Sequence, residues 1–151
     1  MSGTLPPGPT PGFLVWQLST KWRVAVDRAV APLGLTHAQY ALLSSLLGLQ
    51  ESGLRPSQRV LADHTGLEPL YVSKLARTLE AAGMITRAPD PADTRAVQLS
   101  LTAHGRVVTT QAIAIVRDLV SQLLAPLGGP GAPRTRAFTR ELNVLLDAPL
   151  Y

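Results

Sequence analysis

The segment Ser57–Leu101 constrains the fold most, because two short helical patterns, each closed by a glycine, run straight into two strand patterns. The first, Gln58 to His64, is capped by Ser57 and ends at Thr65-Gly66. The second starts with Pro69 in its first turn, a favoured place for proline, and Gly83 stops it as a C′ glycine. Val72, Leu75, Ala76 and Leu79 recur at helical spacing and predict its buried side. Leu70, Lys74, Arg77 and Ala81 fall opposite, with Tyr71 and Ser73 flanking. Strands are predicted over Met84–Ala88 and Ala96–Leu101, where Val97, Leu99 and Leu101 alternate with Gln98 and Ser100.

Two helices across a tight turn and then a hairpin is the order of a winged helix-turn-helix, in which the second helix enters the DNA major groove. The elements around it are helical. Phe13–Ala31 reads as a helix with Val15, Leu18, Trp22, Ala25, Val26 and Ala29 on one side. Thr36 and Gln39 form a capping box for a second helix through Tyr40, Leu43, Leu46 and Leu47. The stretch "QESGLRPS" reads as a loop. Thr102 caps a long helix to about Leu124, with Val108, Ala112, Ile115, Leu119 and Leu123 in helical register. Thr135–Leu146 is a last amphipathic helix. The fold class is therefore mainly α with a small β-hairpin. The proline-rich residues 1–12 are expected to be a disordered arm.

Composition narrows the function classes. Among 151 residues there is no cysteine, which excludes disulfides, thiolate zinc sites and thiol redox chemistry. No unbroken apolar run reaches the ~18 to 20 residues of a membrane span, and the N-terminus lacks signal-peptide regions. A cytoplasmic protein with no membrane partner is expected. His37, His64 and His104 have no metal-ligand spacing, and no catalytic or nucleotide fingerprint occurs, so neither an enzyme nor a cofactor or metal is expected. Net charge is +4, but residues 55–95 hold six basic and five acidic side chains, so charge alone marks no binding face.

Candidate DNA contacts come from position. Ser57 and the N-terminal half of the second helix (Pro69, Leu70, Tyr71, Ser73, Lys74, Arg77) face where base edges and backbone would lie. Arg87 adds a cation on the first strand. In an extended strand Asp93 and Arg95 project to one side, about 7 Å apart at Cα, so the carboxylate can aim the guanidinium into a narrow minor groove. The competing readings are an ordinary surface salt bridge, and packing or solvated surface for the helix residues.

The runs "LGLTHAQYALL" and "VLADHTGLEPLYVSKLARTLEAAGMITRAPDPADTRAVQLSLTAHG" resemble the MarR family of bacterial transcriptional regulators. The marks are Leu35-Thr36 with Gln39, Leu61-Ala62, Leu79-Glu80-x-x-Gly83, Arg87, and above all Asp93-x-Arg95 followed by Leu101-Thr102-x-x-Gly105. Glu68 stands where a capping Ser or Thr is usual, and Thr94 where a basic residue is common. The resemblance implies a DNA-binding regulator of transcription that acts as a two-fold homodimer. Such symmetry expects a palindromic operator in double-stranded DNA, and occlusion of a promoter by the dimer favours a repressor over an activator. The resemblance implies residues 36–102 as the DNA-binding winged domain, with 13–35 and 103–151 as dimerisation helices. A small aromatic or phenolic ligand between the two regions is also implied, with Trp16, Trp22, His37 and Tyr40 as candidates. The rival class is a winged domain that binds protein without DNA.

Overall fold

The computed structural model describes residues 8–151. Residues 1–7 of the expected arm lie outside the described residues. Its last residues are not an arm at all, because helix α1 spans Pro11–Val30. Thr10 caps it by accepting from the Phe13 N–H at 3.2 Å, and Pro11 supplies a first-turn residue needing no N–H partner. Helix α2 (His37–Glu51) starts with the predicted capping box, Thr36 and Gln39 serving each other's backbone at 3.2 and 3.0 Å. Helices α3 (Gln58–Thr65) and α4 (Pro69–Ala81) follow, then strands β1 (Ile85–Pro89) and β2 (Val97–Leu101). Helix α5 (Ala103–Leu124) and helix α6 (Pro133–Leu146) complete the chain.

Helix α2 is the hub, packing on α1, α3, α4, β2 and α5. Its Leu42, Leu43, Leu46 and Leu47 are buried with Leu61, Val72, Leu79, Ile85 and Leu99 from the winged part and Val26 and Val30 from α1. The predicted stripe of α4 is buried in full. That of α5 is slightly rotated from expectation, and that of α1 is buried only over its second half. In α1 residues 11–19 are exposed on every side, Val15 and Leu18 included, whereas Trp22, Ala25 and Ala29 are half-buried and Val26 and Val30 are buried in the core. In α5 the buried line is Gly105, Val108, Thr109, Ala112 and Val116, which moves Ile115 to its edge. Although no unbroken apolar run is that long, the helical stretch Ala103–Leu127 contains an 18-residue window with a mean hydropathy of 1.3 and is apolar enough to cross a membrane by length and composition. One side of this stretch packs on α1 and α2, while Arg106, Arg117 and Asp118 lie exposed. Among the described residues, the one buried side-chain polar atom without a partner is Thr109 Oγ1.

The turn between α3 and α4 is built by Thr65 and Gly66. The Thr65 hydroxyl donates to the Leu61 carbonyl at 2.7 Å and accepts from the Leu67 N–H at 3.3 Å. Gly66 takes φ of 76°, a left-handed value that a β-carbon disfavours. Glu68 precedes α4 without capping it through its side chain, yet the helix starts at Pro69 as expected. At its other end Gly83 N–H donates to the Glu80 carbonyl (2.9 Å) and Met84 N–H to the Leu79 carbonyl (3.0 Å). These two bonds form a Schellman motif, which takes the Met84 N–H and delays β1 to Ile85.

The strands pair antiparallel with Arg87 opposite Leu99. A third piece of chain joins them where a plain loop was expected. Leu99 N–H donates to the Pro56 carbonyl at 3.1 Å, and Ser57 forms a β-bridge with Gln98. The hairpin is thereby fastened to the residues that start α3.

Candidate nucleic-acid interface

Two helix N-termini and the wing tip meet around one cleft of about 410 Å³. Its walls are Ser57, Gln58 and Arg59 from the start of α3, Pro69 from the start of α4, and Asp93, Arg95, Ala96 and Val97 from the hairpin. Ser57 Oγ accepts from the Val60 N–H at 3.2 Å, which leaves the other first-turn N–H groups of α3 without side-chain caps. Helix N-termini carry partial positive charge, so with the exposed Arg59 and Arg95 this cleft suits a phosphate-bearing chain. Arg59 was not singled out in the sequence. Its only signal was its place two residues after the cap Ser57.

The wing tip differs from the extended strand expected of it. Asp93, Thr94 and Arg95 form a turn, and no ion pair joins Asp93 to Arg95 among the described residues. Instead Asp93 Oδ1 accepts from the Arg95 backbone N–H at 3.1 Å, and Asp90 Oδ1 accepts from the Ala92 N–H at 2.8 Å. Short carboxylates bonding to N–H groups two residues on replace a ladder that a tight loop cannot form. Asp93 fixes the backbone of Arg95 and leaves its guanidinium free of an acidic partner.

The remaining candidates divide. Leu70 (71% exposed), Lys74 and Arg77 form an outward ridge on α4, opposite its buried stripe. Ser73 is half-buried beside it. Tyr71 turns away to a second cleft, and the half-buried Arg87 is tied to neighbouring side chains.

That second cleft, about 550 Å³, lies between α1, the start of α2 and the α3–α4 turn. Arg23, Asp27, Thr36, His37, Thr65, Leu67 and Tyr71 are among its walls. Asp27 Oδ1 accepts from the His37 backbone N–H at 2.6 Å, joining α1 to the start of α2. Burial lowers the His37 pKa from its ordinary value; the Asp27 charge opposes this and Arg23 adds to it. The four aromatic and histidine candidates do not share this cleft. His37 lines it, but Trp22 lines a separate groove of about 250 Å³ with Lys21, Ala25, Leu119 and Leu123. Trp16 is 67% exposed on the outer half of α1. Tyr40 is half-buried against the core, where burial raises its phenol pKa against the opposing effects of Ser44 and Arg117.

Residues 33–96 match the sequence model of the MarR family. An uncharacterised helix-turn-helix-type transcriptional regulator of Bacillus subtilis, YdcH, is 39% identical over 113 residues, 75% of this chain and 77% of its own length. The Mycobacterium tuberculosis helix-turn-helix-type transcriptional repressor Rv2887 is 34% identical over 134 residues, 89% of this chain and 91% of its own. Its crystal structure with p-aminosalicylic acid superposes with a TM-score of 0.66 at 32% identity, covering 90% of this chain and 98% of that one. The Staphylococcus aureus MepR–DNA complex has the same fold, with a TM-score of 0.80 at 24% identity over 91% of this chain and 96% of MepR. With these relatives covering most of its length, the chain belongs to the MarR family of winged helix-turn-helix transcriptional regulators.

Proposed function

We propose that the protein is a homodimeric repressor that binds a palindromic operator through α4 and the wing, and that a small aromatic acid releases it. The observation that carries the reading is the convergence of Arg95, Arg59 and the starts of α3 and α4 on one cleft beside the exposed ridge of α4. Phosphates of one strand would cross that cleft while Lys74 and Arg77 reach the major groove and Arg95 the minor groove. Ser57 and Pro69 would serve as backbone contacts. Residues 36–102 form the DNA-binding unit on this reading, with 13–35 and 103–151 joining two copies. Such a protein acts inside the cell, where its operator is.

The ligand reading rests on the second cleft. It places Arg23, suited to a carboxylate, within one cavity with Tyr71 of the recognition helix, while the Asp27 carboxylate on the same wall already accepts from the His37 N–H at the start of α2. A ligand there touches α1 and α4 together, so its binding and the spacing of the two recognition helices are linked. The related Rv2887 has been crystallised with p-aminosalicylic acid, an aromatic acid.

Selection of duplexes from a randomised pool, followed by gel-shift titration, tests the DNA reading. Enrichment of a two-fold symmetric site is expected. Arg95→Ala should weaken binding by roughly 1 to 3 kcal/mol, as for an arginine in a groove, and Arg134→Ala on α6 should not. A folded protein that enriches no duplex would favour the protein-binding winged module instead.

A further inference from the structure

Arg87 carries one of the cations on the winged part, and its surroundings give it a different task from Arg95. In β1 alternate residues share a face, so Arg87 lies on the same side as the buried Ile85. Its partner in register is Leu99, which is fully buried. Thr86 and Ala88 take the exposed side. The Arg87 side chain, 23% exposed, thus points toward the helices. There its Nε donates to Gln58 Oε1 at 3.3 Å, and Nη1 lies 3.7 Å from Glu80 Oε1.

Those partners sit at two informative places. Gln58 is the first residue of α3, directly after the serine bridged to β2. Glu80 is in the last turn of α4, where the negative end of the helix dipole disfavours a carboxylate unless a cation stands beside it. One guanidinium therefore joins the start of α3, the end of the recognition helix and the middle of the wing strand.

We propose that Arg87 is a positioning residue that sets the pitch of the wing against α4, so that the ridge of α4 and Arg95 meet one duplex together. This rests on the DNA-binding reading above. Arg87 neutralises no phosphate on this account, and its effect travels through Glu80 and Gln58.

Salt dependence separates the two roles, because each phosphate contact contributes about 0.9 to the slope of log affinity against log salt concentration. The experiment uses the full chain, a duplex enriched from a randomised pool by the wild-type protein, and a scrambled duplex of equal composition. Arg87→Gln and Glu80→Gln are compared with wild type by fluorescence anisotropy over a range of salt concentrations. Both variants should lower the preference for the enriched over the scrambled duplex. An exposed ion pair weighs about fivefold at most, and two wings act in each dimer. The salt slope should stay at the wild-type value in Arg87→Gln. The sign for Glu80→Gln is the sharper arm. Removing a negative charge near DNA strengthens binding by simple electrostatics, whereas loss of the clamp weakens the preference.

If Arg87→Gln weakens both duplexes equally and lowers the slope by about one for each wing, Arg87 is a phosphate contact and the proposal is overturned. An unchanged preference in Glu80→Gln overturns it as well, and decides alone should thermal melting show that Arg87→Gln is unfolded. A wild-type protein that enriches no duplex removes the DNA-binding reading, and this proposal with it.

Discussion

Asp93 shows how one carboxylate can serve an arginine without touching its guanidinium. Its Oδ1 accepts from the Arg95 backbone N–H, so what it requires is an acceptor oxygen at the right distance and not a negative charge. Asparagine supplies the same oxygen. Asp93→Asn should therefore bind an enriched duplex within about twofold of wild type, while Asp93→Ala loses the bond, worth about 0.5 to 1.5 kcal/mol. Gel-shift titration of the two variants side by side checks this. An Asn variant as weak as the Ala variant would return the role to charge. The Asp-x-Arg pattern was legible in the sequence as a functional pair, but its geometry was not. Reading residues 93–95 as extended strand put both side chains on one side, whereas the Ala96 N–H donates to the Asp93 carbonyl and closes a turn there. Arg59 and Gln58 went unread for a related reason. Their place beside the wing depends on the contact between Ser57 and Gln98, 41 residues apart, which no local pattern encodes.

Elements with strong local chemistry were read almost to the residue. Ser57, Thr36 and Thr102 cap the helices assigned to them, and Leu124 ends α5. The tetrapeptide Ala-Pro-Leu-Gly occurs after both α1 and α5, and each time it makes a short 3-10 turn ending in a left-handed glycine, Gly34 at φ 76° and Gly128 at φ 99°. Local sequence decides such stops. What it does not decide is how far along a helix the core reaches: residues 11–19 of α1 are all exposed, Val15 and Leu18 among them, while Trp22, Ala25, Val26 and Ala29 of the same stripe are half-buried or buried. The junction of the hairpin with α5 illustrates a constraint between elements that the motif Leu101-Thr102-x-x-Gly105 only hints at. Thr102 Oγ1 donates to the Gly83 carbonyl at 2.6 Å, and Thr102 N–H donates to the Met84 carbonyl at 3.0 Å. This draws the first turn of α5 so close that a β-carbon on Gly105 would stand 1.8 Å from the Met84 carbonyl oxygen. Gly105→Ala must displace backbone, so it should destabilise by at least the ~1 to 3 kcal/mol usual for overpacking. Gly48→Ala is the control: that position is helical, and a β-carbon there meets nothing within 4 Å. It should gain up to ~1 kcal/mol from helix propensity. Urea unfolding of both variants gives the comparison, and equal stabilities would mean that the hairpin swings away freely.

At the scale of the whole molecule, the chain exposes more surface than a self-sufficient globule. Its accessible area is 10411 Å², whereas a compact chain of 16.1 kDa exposes about 7,400 Å². Much of the apolar part lies on the two terminal helices. Phe13, Leu14, Val15 and Trp16 are exposed on α1, and Val144, Leu145 and Leu146 on α6, the last at 81%. Neither set has a partner within the described residues that would bury it. A second copy offers the same unpaired faces, and the excess of two chains together, about 6,000 Å², is more than enough for the roughly 2,000 Å² or more that obligate homodimers bury over both partners. If the chain folds as such a dimer, its stability follows mass action. Raising the protein concentration about a hundredfold should then add about 2.7 kcal/mol per dimer and raise Tm. Leu145→Lys gives the decisive contrast. On an isolated chain a substitution at a side chain 61% exposed should change stability by no more than ~0.5 kcal/mol. In a dimer it would bury a charge, lower Tm most at low concentration and shift the mass seen by light scattering toward one chain. A wild-type protein that sediments as a single chain, with a Tm independent of concentration, would sink the dimer, and with it the expectation of a two-fold symmetric operator.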